Sequence, residues 1–430
     1  MTLAAAHADS GDTAWLLAAT ALVLLMTPGL ALFYGGMVRA KSVLNMLMMS
    51  FVSIALVTVV WLAAGYSLAF TDDLGGGLLG GLGNAGMARL TPDSVHGTVP
   101  TLLFATFQLT FAIITAALIS GAVADRTRFG AWLVLVPVWT LLVYVPVTHW
   151  VWGPGGWIGA KLGALDFAGG LPVEITSGAS GLALCLVIGP RLGFKKDAMR
   201  PHSLPMVMLG AGLLWFGWFG FNAGSALGAN GLAAAAFLNT LAAGCTGLLG
   251  WLLVEQRRGH PTTLGAASGA VAGLVAITPS CGTVSLLGAL VVGLAAGVVC
   301  SYAVGWKFKL NFDDSLDVVG VHLVGGVIGT LLIGLFADEA MTGGPEGLFH
   351  GGGLALLGRQ LVAVLAVAGY AFAVTYGLGK LLDRTLGLRA SEEEERTGLD
   401  LTVHAETAYD HGVLGHGAPV APVRKAESPA

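Results

Sequence analysis

Residues 166–189 read DFAGGLPVEITSGASGLALCLVIG, and this stretch decides the class of fold. An apolar run starts at Pro172 and continues to Gly189 without a lysine or an arginine, yet Glu174 stands in its first turn. Pro172 suits a helix start because its φ is fixed and it lacks an N–H group. A charged side chain at the centre of a bilayer costs about 3 kcal/mol on insertion scales. Glu174 therefore needs a partner from elsewhere in the chain, or a function.

The composition indicates a membrane protein. Hydrophobic residues make up 55% of the 430 residues and charged residues 11%, whereas about a quarter of a soluble domain is charged. The mean hydropathy is +0.79. The net charge is -4 and no stretch is rich in lysine or arginine, which argues against nucleic acid as a partner. The four cysteines form no CxxC pair, so we expect neither a disulfide framework nor a metal site, and no cofactor.

Eleven apolar windows are long enough to cross a bilayer core of about 30 Å as helices, because lipid cannot satisfy an open backbone. The windows are 13–36, 44–70, 99–124, 129–150, 170–189, 203–225, 231–254, 263–278, 283–305, 317–336 and 354–382. We therefore predict an all-α integral membrane protein. Residues 1–12 would precede the membrane domain of 13–382, a regulatory tail would cover 383–410, and 411–430 would be disordered.

Basic residues in the connections predict the orientation. One alternating set of connections carries only Arg89, Lys161 and Arg359. The other set carries Arg39, Lys41, Arg126, Arg128, Arg191, Lys195, Lys196, Arg200, Arg257, Arg258, Lys307 and Lys309. Because connections rich in lysine and arginine stay in the cytoplasm, the second set is predicted to be cytoplasmic. With eleven crossings, the N-terminus is then outside and the C-terminus is cytoplasmic.

Glycine predicts close helix packing. Several of the 65 glycines are grouped with other small residues, as in GASG (178–181) and VGGVIG (324–329). Small residues at helical spacing let membrane-spanning backbones approach each other closely. Packing alone explains most of these glycines, and it predicts a compact bundle without a wide aqueous pore.

Two ionisable residues lie in matching contexts in the two halves of the chain. Glu174 follows Asp166 by eight residues in the fifth window, and His322 follows Asp317 by five in the tenth. Each is followed by small residues, which is weak internal symmetry of the kind that places transporter sites at a repeat interface. For each residue alone, a structural interpretation stays open: a neutral glutamate satisfied by backbone, or a core histidine satisfied by a hydroxyl. The two together favour a functional pair.

Several longer segments resemble the ammonium transporter family (Amt/Mep/Rh). In chain order they are TPGLALFYGGMVRAKSVLNM, FQLTFAIITAALISGAVADR, THWVWGPGG, ALDFAGGLPVE, WFGFNAGSA, GLVAITPSCG, DVVGVHLVGG and EEEERTGLDLTVHAETAY. They cover the chain from about residue 13 to about residue 410. The resemblance implies a homotrimer with one pore per subunit. It also implies that each subunit has two inverted repeats of five helices and a peripheral eleventh helix.

The resemblance also implies the site residues. Trp152, Phe111 and Ser225 match the outer site that recruits the ammonium ion, and spacing alone would assign the two aromatics to packing or an interface belt. Asp166 matches the acid of the family signature and would order the vestibule backbone, with direct ion contact a weaker alternative. Phe111 and Phe221 match a gate of two stacked rings, above the pore-lining Trp218. The implied mechanism is recruitment of ammonium, deprotonation, passage of ammonia and separate transfer of the proton.

At one position the sequence departs from the commonest family pattern. Most members have two pore histidines; His322 matches the second, whereas Glu174 stands where the first would be, as it does in a subset known mainly from fungi. An imidazole and a carboxyl can still share a proton. We therefore predict that Glu174 faces His322 and that the two form a proton relay, with Asp317 in a structural role.

The resemblance also implies partners and a location. It is to the bacterial type and implies the bacterial inner membrane, with a PII-type nitrogen signalling protein docking at the tail and a role in nitrogen metabolism. Two other functions remain open: an ammonium sensor and an Rh-like channel for ammonia or carbon dioxide. A membrane enzyme is a third class, but no HExxH, GxSxG or GxxxxGK[ST] motif occurs, so we expect no enzymatic activity.

Overall fold

The computed structural model describes residues 7–409, which form a bundle of apolar helices. Ten helices are long and apolar enough to span a membrane, and an eleventh is apolar but shorter. In chain order, α1 to α11 are Ser10–Met37, Ala40–Phe70, Thr101–Val123, Phe129–Leu162, Gly170–Ile188, Leu204–Gly224, Gly231–Arg258, Thr263–Ile277, Leu286–Leu310, Val319–Phe336 and Ala355–Thr385. The predicted all-α membrane fold with eleven helices is confirmed. Helix α4 is interrupted at 153–156.

Polar contacts between helix ends define two faces of the bundle. On the first, the backbone N–H of Asp9 donates to the carbonyl of Thr98 at 2.8 Å, and the N–H of Ala229 donates to Oδ1 of Asp12 at 2.8 Å. On the second, Arg39 Nε lies 3.1 Å from Oδ2 of Asp125. We call these the N face and the tail face, since the second also binds the C-terminal segment.

Side-chain caps explain where several helices begin. Five of the helices α1 to α11 have an Asp, Asn, Ser or Thr at the N-cap position, and each cap side chain accepts a hydrogen bond from a backbone N–H in the first turn. The caps of α1 and α6 to α9 are Asp9, Ser203, Asn230, Thr262 and Ser285. These caps satisfy N–H groups that the helix itself leaves unpaired.

Glycine permits the crossing of α5 and α10. A Cβ atom at Gly178 would collide with the backbone nitrogen of Leu323, and one at Gly326 would lie 2.8 Å from Cβ of Glu174. No side chain larger than hydrogen fits at Gly178 unless the neighbouring backbone moves. The predicted close approach through the GASG and VGGVIG segments is therefore confirmed.

Shorter elements cover the ends of the bundle. Strands β1 (Val95–His96) and β2 (Val99–Pro100) form an antiparallel hairpin that leads directly into α3. Short helices Ala85–Met87, Glu339–Thr342 and Leu348–His350 lie in connections of the N face.

The C-terminal segment packs on the tail face. It contains α12 (Glu392–Thr397), which starts with a capping box at Ser391, and α13 (Leu399–His404). The carboxylate of Asp400 accepts hydrogen bonds from the backbone N–H groups of Leu44 and Asn45 at the start of α2. The predicted disordered stretch 411–430 and the first six residues of the chain lie outside the described residues.

Candidate functional site

A pocket of about 280 Å³ opens at the N face. Its lining is mostly aromatic: Phe70, His96, Phe104, Gln108, Trp152, Pro154, Phe167, Ser225 and Leu227. Two of the predicted outer-site residues, Trp152 and Ser225, are therefore brought together. Phe111 lies below the pocket and does not line it; its ring meets that of Trp152 edge to face, with 6.0 Å between centroids.

Hydrogen bonds hold both lining residues in place. The indole N–H of Trp152 donates to the carbonyl of Asp166 at 3.0 Å, which fixes the ring plane. The hydroxyl of Ser225 donates to the carbonyl of Phe221 at 2.8 Å. Because its proton is used in this way, the Ser225 oxygen keeps its lone pairs to accept a hydrogen bond from a ligand.

Two phenyl rings close the floor of the pocket. Phe111 on α3 and Phe221 on α6 have ring centroids 4.1 Å apart, with an angle of 31° between the planes. Each side chain is only about 1% exposed. The predicted pair of stacked gate residues is therefore in contact, and no open aqueous path passes between the rings.

Below the rings lies a cavity with only about 10 Å³ of free volume, which is near the smallest space that holds one water molecule. Its walls are apolar except at Glu174 and His322: Met26, Leu30, Phe33, Ile114, Leu118, Val173, Leu214, Trp218, Phe221 and Val271. Trp218 lines it as predicted, and its indole N–H donates to Oγ1 of Thr278 at 2.8 Å.

Glu174 and His322 are in direct contact across this cavity. Oε2 of Glu174 lies 2.7 Å from Nδ1 of His322, and the residues are 1% and 4% exposed. Among the described residues, no lysine or arginine forms an ion pair with Glu174. Glu174 was expected to need a partner from elsewhere in the chain, and His322 is that partner. The structural alternative for His322 was a hydrogen bond to a hydroxyl group, but the partner of its Nδ1 is the carboxylate of Glu174.

The two residues stand in equivalent local structures. Helices α5 and α10 both begin with a π-helical segment, Gly170–Ile175 and Val319–Leu323, and each segment carries one member of the pair. Such segments break the regular ladder and occur frequently at functional sites. The two helix starts meet inside the bundle, which brings Glu174 against His322 although 148 residues separate them.

An aspartate precedes each of these helix starts. Asp166 accepts hydrogen bonds from the N–H groups of Gly169, Gly170 and Leu171. This carboxylate orders the backbone above α5, as predicted. Asp166 is not among the residues that line the outer pocket, and its predicted role as a substrate ligand stays a prediction.

The counterpart in the second half is Asp314 and not Asp317. Asp314 accepts from the N–H groups of Val318 and Val319 at 3.1 and 2.7 Å, whereas Asp317 pairs with Lys307 at 2.6 Å. The prediction that Asp317 matches Asp166 is therefore wrong, although Asp317 keeps a structural role. Asp314 precedes His322 by eight residues, the same spacing as Asp166 and Glu174. That spacing was the signal in the sequence for the correct pair.

Comparison with known proteins places this site in a family. A model of the Ammonium Transporter Family matches residues 14–409. The chain belongs to the ammonium transporter family. It is 55% identical over 435 residues to the ammonium transporter of Mycobacterium tuberculosis, covering 94% of this chain and 91% of that protein. Identity to the ammonium transporter of Bacillus subtilis is 50%, covering 93% of this chain and 98% of that protein.

Solved structures show the same family fold. The crystal structure of Saccharomyces cerevisiae Mep2 superposes with a TM-score of 0.84 at 36% identity, covering 90% of this chain and 88% of that chain. A structure described as a sensor Amt protein gives a TM-score of 0.85 at 28% identity, covering 91% of this chain and 97% of that chain. Membership of the family makes the chain a multi-pass membrane protein whose substrate class is ammonium or ammonia.

In this transporter, two polar side chains of the outer pocket were missed by sequence reasoning. Gln108 lies within the quoted FQLTF segment, but only the aromatic residue of that segment was considered. His96 lies in the β1 strand, and its ring stacks on Phe104 with 3.8 Å between centroids. Nothing in the sequence around His96 showed that the hairpin reaches the pocket.

Proposed function

We propose that this chain carries net ammonium across the membrane in four steps. The ammonium ion binds in the outer pocket, loses a proton, and crosses the apolar cavity as ammonia, while the proton passes through Glu174 and His322. The observation that carries the proposal is the 2.7 Å contact between these two side chains in a cavity that is otherwise apolar.

The outer pocket suits recruitment of a small cation. An aromatic face attracts a cation by about 0.5–2 kcal/mol, and Trp152 is held by its hydrogen bond with its ring against the pocket. Ammonium has N–H donors and no acceptor, so the free lone pairs of Ser225 complement it. Together these groups bind the ion loosely enough to release it.

The passage below the gate suits ammonia better than ammonium. Stripping the hydration shell from an isolated ion costs far more than aromatic contacts return. The cavity below the gate, which Phe221 and Trp218 line, offers almost no room for accompanying water. A neutral molecule of the size of ammonia therefore meets a much lower barrier than the charged ion.

The carboxyl and the imidazole provide a path for the proton that ammonia leaves behind. At 2.7 Å a proton moves between Oε2 and Nδ1 without rearrangement of either helix. Because the two atoms lie within hydrogen-bond distance, a proton between them is shared by the carboxyl and the imidazole. Transfer of ammonia and of a proton to the same side amounts to net transport of ammonium.

We also propose that the protein is a homotrimer in the bacterial inner membrane, with the N face outside and the tail face in the cytoplasm. The asymmetry of basic residues supports this orientation, and a protease added outside intact cells should leave a tag after residue 430 uncleaved. A PII-type nitrogen signalling protein would bind at the tail face, where the charged tail packs. Failure to recover such a protein with the transporter, with either ATP or ADP present, would count against this partner.

The test of transport is current recording on the purified protein in planar lipid under an ammonium gradient. Net ammonium transport predicts a current that depends on ammonium concentration. An Rh-like channel would change the pH on the far side without a current, and a sensor would do neither. A pH change without current would overturn the proposal in favour of gas conduction.

A further inference from the structure

We propose that Gln108 is a further ligand of the ammonium ion, which its side-chain oxygen binds between the mouth of the outer pocket and the gate. This inference rests on the proposed function, because it adds a specificity-determining residue to the same recruitment step. Gln108 would add an amide oxygen to the aromatic rings and the hydroxyl group that already line the pocket.

The position of Gln108 follows from the geometry of α3. Residues three and four apart lie on one face of an α-helix, so Phe104, Gln108 and Phe111 form a row along α3. Phe104 stacks on His96 at the mouth of the pocket, and Phe111 stacks on Phe221 at the gate. Gln108 lies between them and lines the pocket. An ion moving from the mouth to the gate therefore passes this amide.

The oxygen of Gln108 lacks a partner. The residue is 8% exposed, and within the described part of the chain Oε1 accepts no hydrogen bond. A buried acceptor without a donor destabilises a protein, so buried polar groups are nearly always paired. Gln360 illustrates the usual case: its Oε1 accepts from the backbone N–H of Leu165 at 2.8 Å. The unpaired oxygen of Gln108 is therefore matched to a ligand that brings a donor.

Ammonium is a ligand of the required kind. It presents four N–H donors, and two residues with acceptor oxygens, Ser225 and Gln108, line the pocket beside the Trp152 ring. No charged carboxylate or lysine lines the pocket among the described residues, so the amide oxygen supplies attraction without fixing the ion permanently. Cations that carry fewer N–H groups, such as trimethylammonium, gain less from two acceptors.

The test compares two substitutions of Gln108 by ammonium-evoked current. Gln108→Met keeps the length of the side chain but removes the acceptor, and it should raise the KM for ammonium by about tenfold with little change in maximal current, because hydrogen bonds to charged groups are strong. Gln108→Glu keeps an acceptor oxygen and should retain a KM near or below that of the wild type. Thr106→Ala, an exposed site on the same helix, is the control and should change neither value.

Two outcomes would overturn the inference. One is an unchanged KM in Gln108→Met. The other is an equal loss in Gln108→Met and Gln108→Glu, which would make the residue structural. A second readout separates this inference from the proposed function: stabilisation against heat by ammonium sulfate relative to sodium sulfate, which reports binding without transport. If the wild type carried no current, the proposed function would fail, and weaker stabilisation of Gln108→Met by ammonium would still support the ligand.

Discussion

At the scale of single residues, the position of Glu174 is explained by one contact. Its carboxylate lies 2.7 Å from the His322 ring, and the residue is 1% exposed. An acid so deeply buried would be costly without a partner that shares its proton or its charge. The partner comes from the other half of the chain, which is why the stretch around Glu174 contains no counter-charge.

Trp152 gives the first prediction at this scale. Trp152→Leu removes the aromatic face from the outer pocket, and loss of a cation–π contact of about 0.5–2 kcal/mol should raise the ammonium concentration for half-maximal current by roughly two- to thirtyfold. Trp306→Leu is the control, because Trp306 is exposed at the far end of α9. If the current of Trp152→Leu depended on ammonium and methylammonium concentration as in the wild type, Trp152 would not be part of the binding site.

His96 gives a prediction about pH. Burial against Phe104 lowers the pKa of His96 below its usual value of 6.5, so its ring is neutral at pH 7. Among the described residues it is the one titratable side chain lining the pocket. As the external pH falls through this pKa, His96 becomes positively charged and repels the ammonium ion. The KM for ammonium should therefore rise as the pH falls below 6.5.

The matched experiment replaces His96 by asparagine, which cannot be protonated. His96→Asn should flatten the rise of KM at low pH, whereas His350→Asn, in another connection of the N face, should leave it as in the wild type. Because we expect Glu174 and His322 to affect the maximal current, the comparison uses KM alone. A rise of KM that persists unchanged in His96→Asn would show that another group causes it.

Single functional residues could be predicted from the sequence only where their type was unusual for its surroundings or matched a family motif. The contact between Glu174 and His322 could be expected because each stands alone in an apolar helix and the family resemblance places both at the pore centre. Gln108 could not, because its importance lies in an unpaired oxygen, and pairing depends on the three-dimensional surroundings. The confusion of Asp317 with Asp314 arose because both precede α10, and only the hydrogen bonds show which carboxylate reaches the helix start.

At the scale of elements, the crossing of α5 and α10 positions the pair. Gly178→Ala would add a Cβ atom against the backbone of Leu323, next to His322, and α10 would have to move. Overpacking of this kind costs about 1–3 kcal/mol, so we expect a lower apparent melting temperature and a reduced current. Gly369→Ala on α11 is the control, because no heavy atom lies within 4 Å of its added Cβ. Equal behaviour of the two variants would contradict the tight crossing.

The tail gives a second prediction at this scale. Glu395 is 1% exposed; its side chain accepts a hydrogen bond from the N–H of Leu192 and pairs with Arg389 at 2.9 Å. Glu395→Ala leaves these donors unpaired and should release the segment from the tail face, which limited proteolysis would detect as faster cleavage after residue 386. The exposed neighbour Glu393→Ala should be cleaved at the wild-type rate. Equal protection of both variants would mean that Glu395 does not hold the tail.

The existence of the helices was easier to predict than their internal breaks. Long apolar windows indicate spanning helices because the bilayer leaves few alternatives. The π-helical starts of α5 and α10 are not visible in such windows, since they depend on contacts that compensate for the broken hydrogen-bond ladder. The β1–β2 hairpin is too short to give an alternating pattern, and its place at the pocket follows from packing.

At the scale of the whole molecule, each half of the chain supplies one member of the pair formed by Glu174 and His322. The first half contributes Asp166 and Glu174, and the second contributes Asp314 and His322 at the same spacing. The carboxyl of Glu174 and the imidazole of His322 therefore differ chemically but occupy equivalent positions in the two halves of the chain. An acid and a base in contact are suited to passing a proton, and this is the central claim about the protein.

The most direct test of that claim is the ammonium-evoked current of Glu174→Gln between pH 5 and 8. Glutamine keeps the shape and a hydrogen bond to His322 but cannot release a proton, so we expect the current to be abolished or uncoupled from ammonium. Glu174→His should retain a current with a shifted pH profile, because imidazole titrates near neutrality. His322→Ala should be at least as damaging as Glu174→Gln, and the double variant no worse than the poorer single variant. A wild-type current with an unchanged pH profile in Glu174→Gln would contradict the relay.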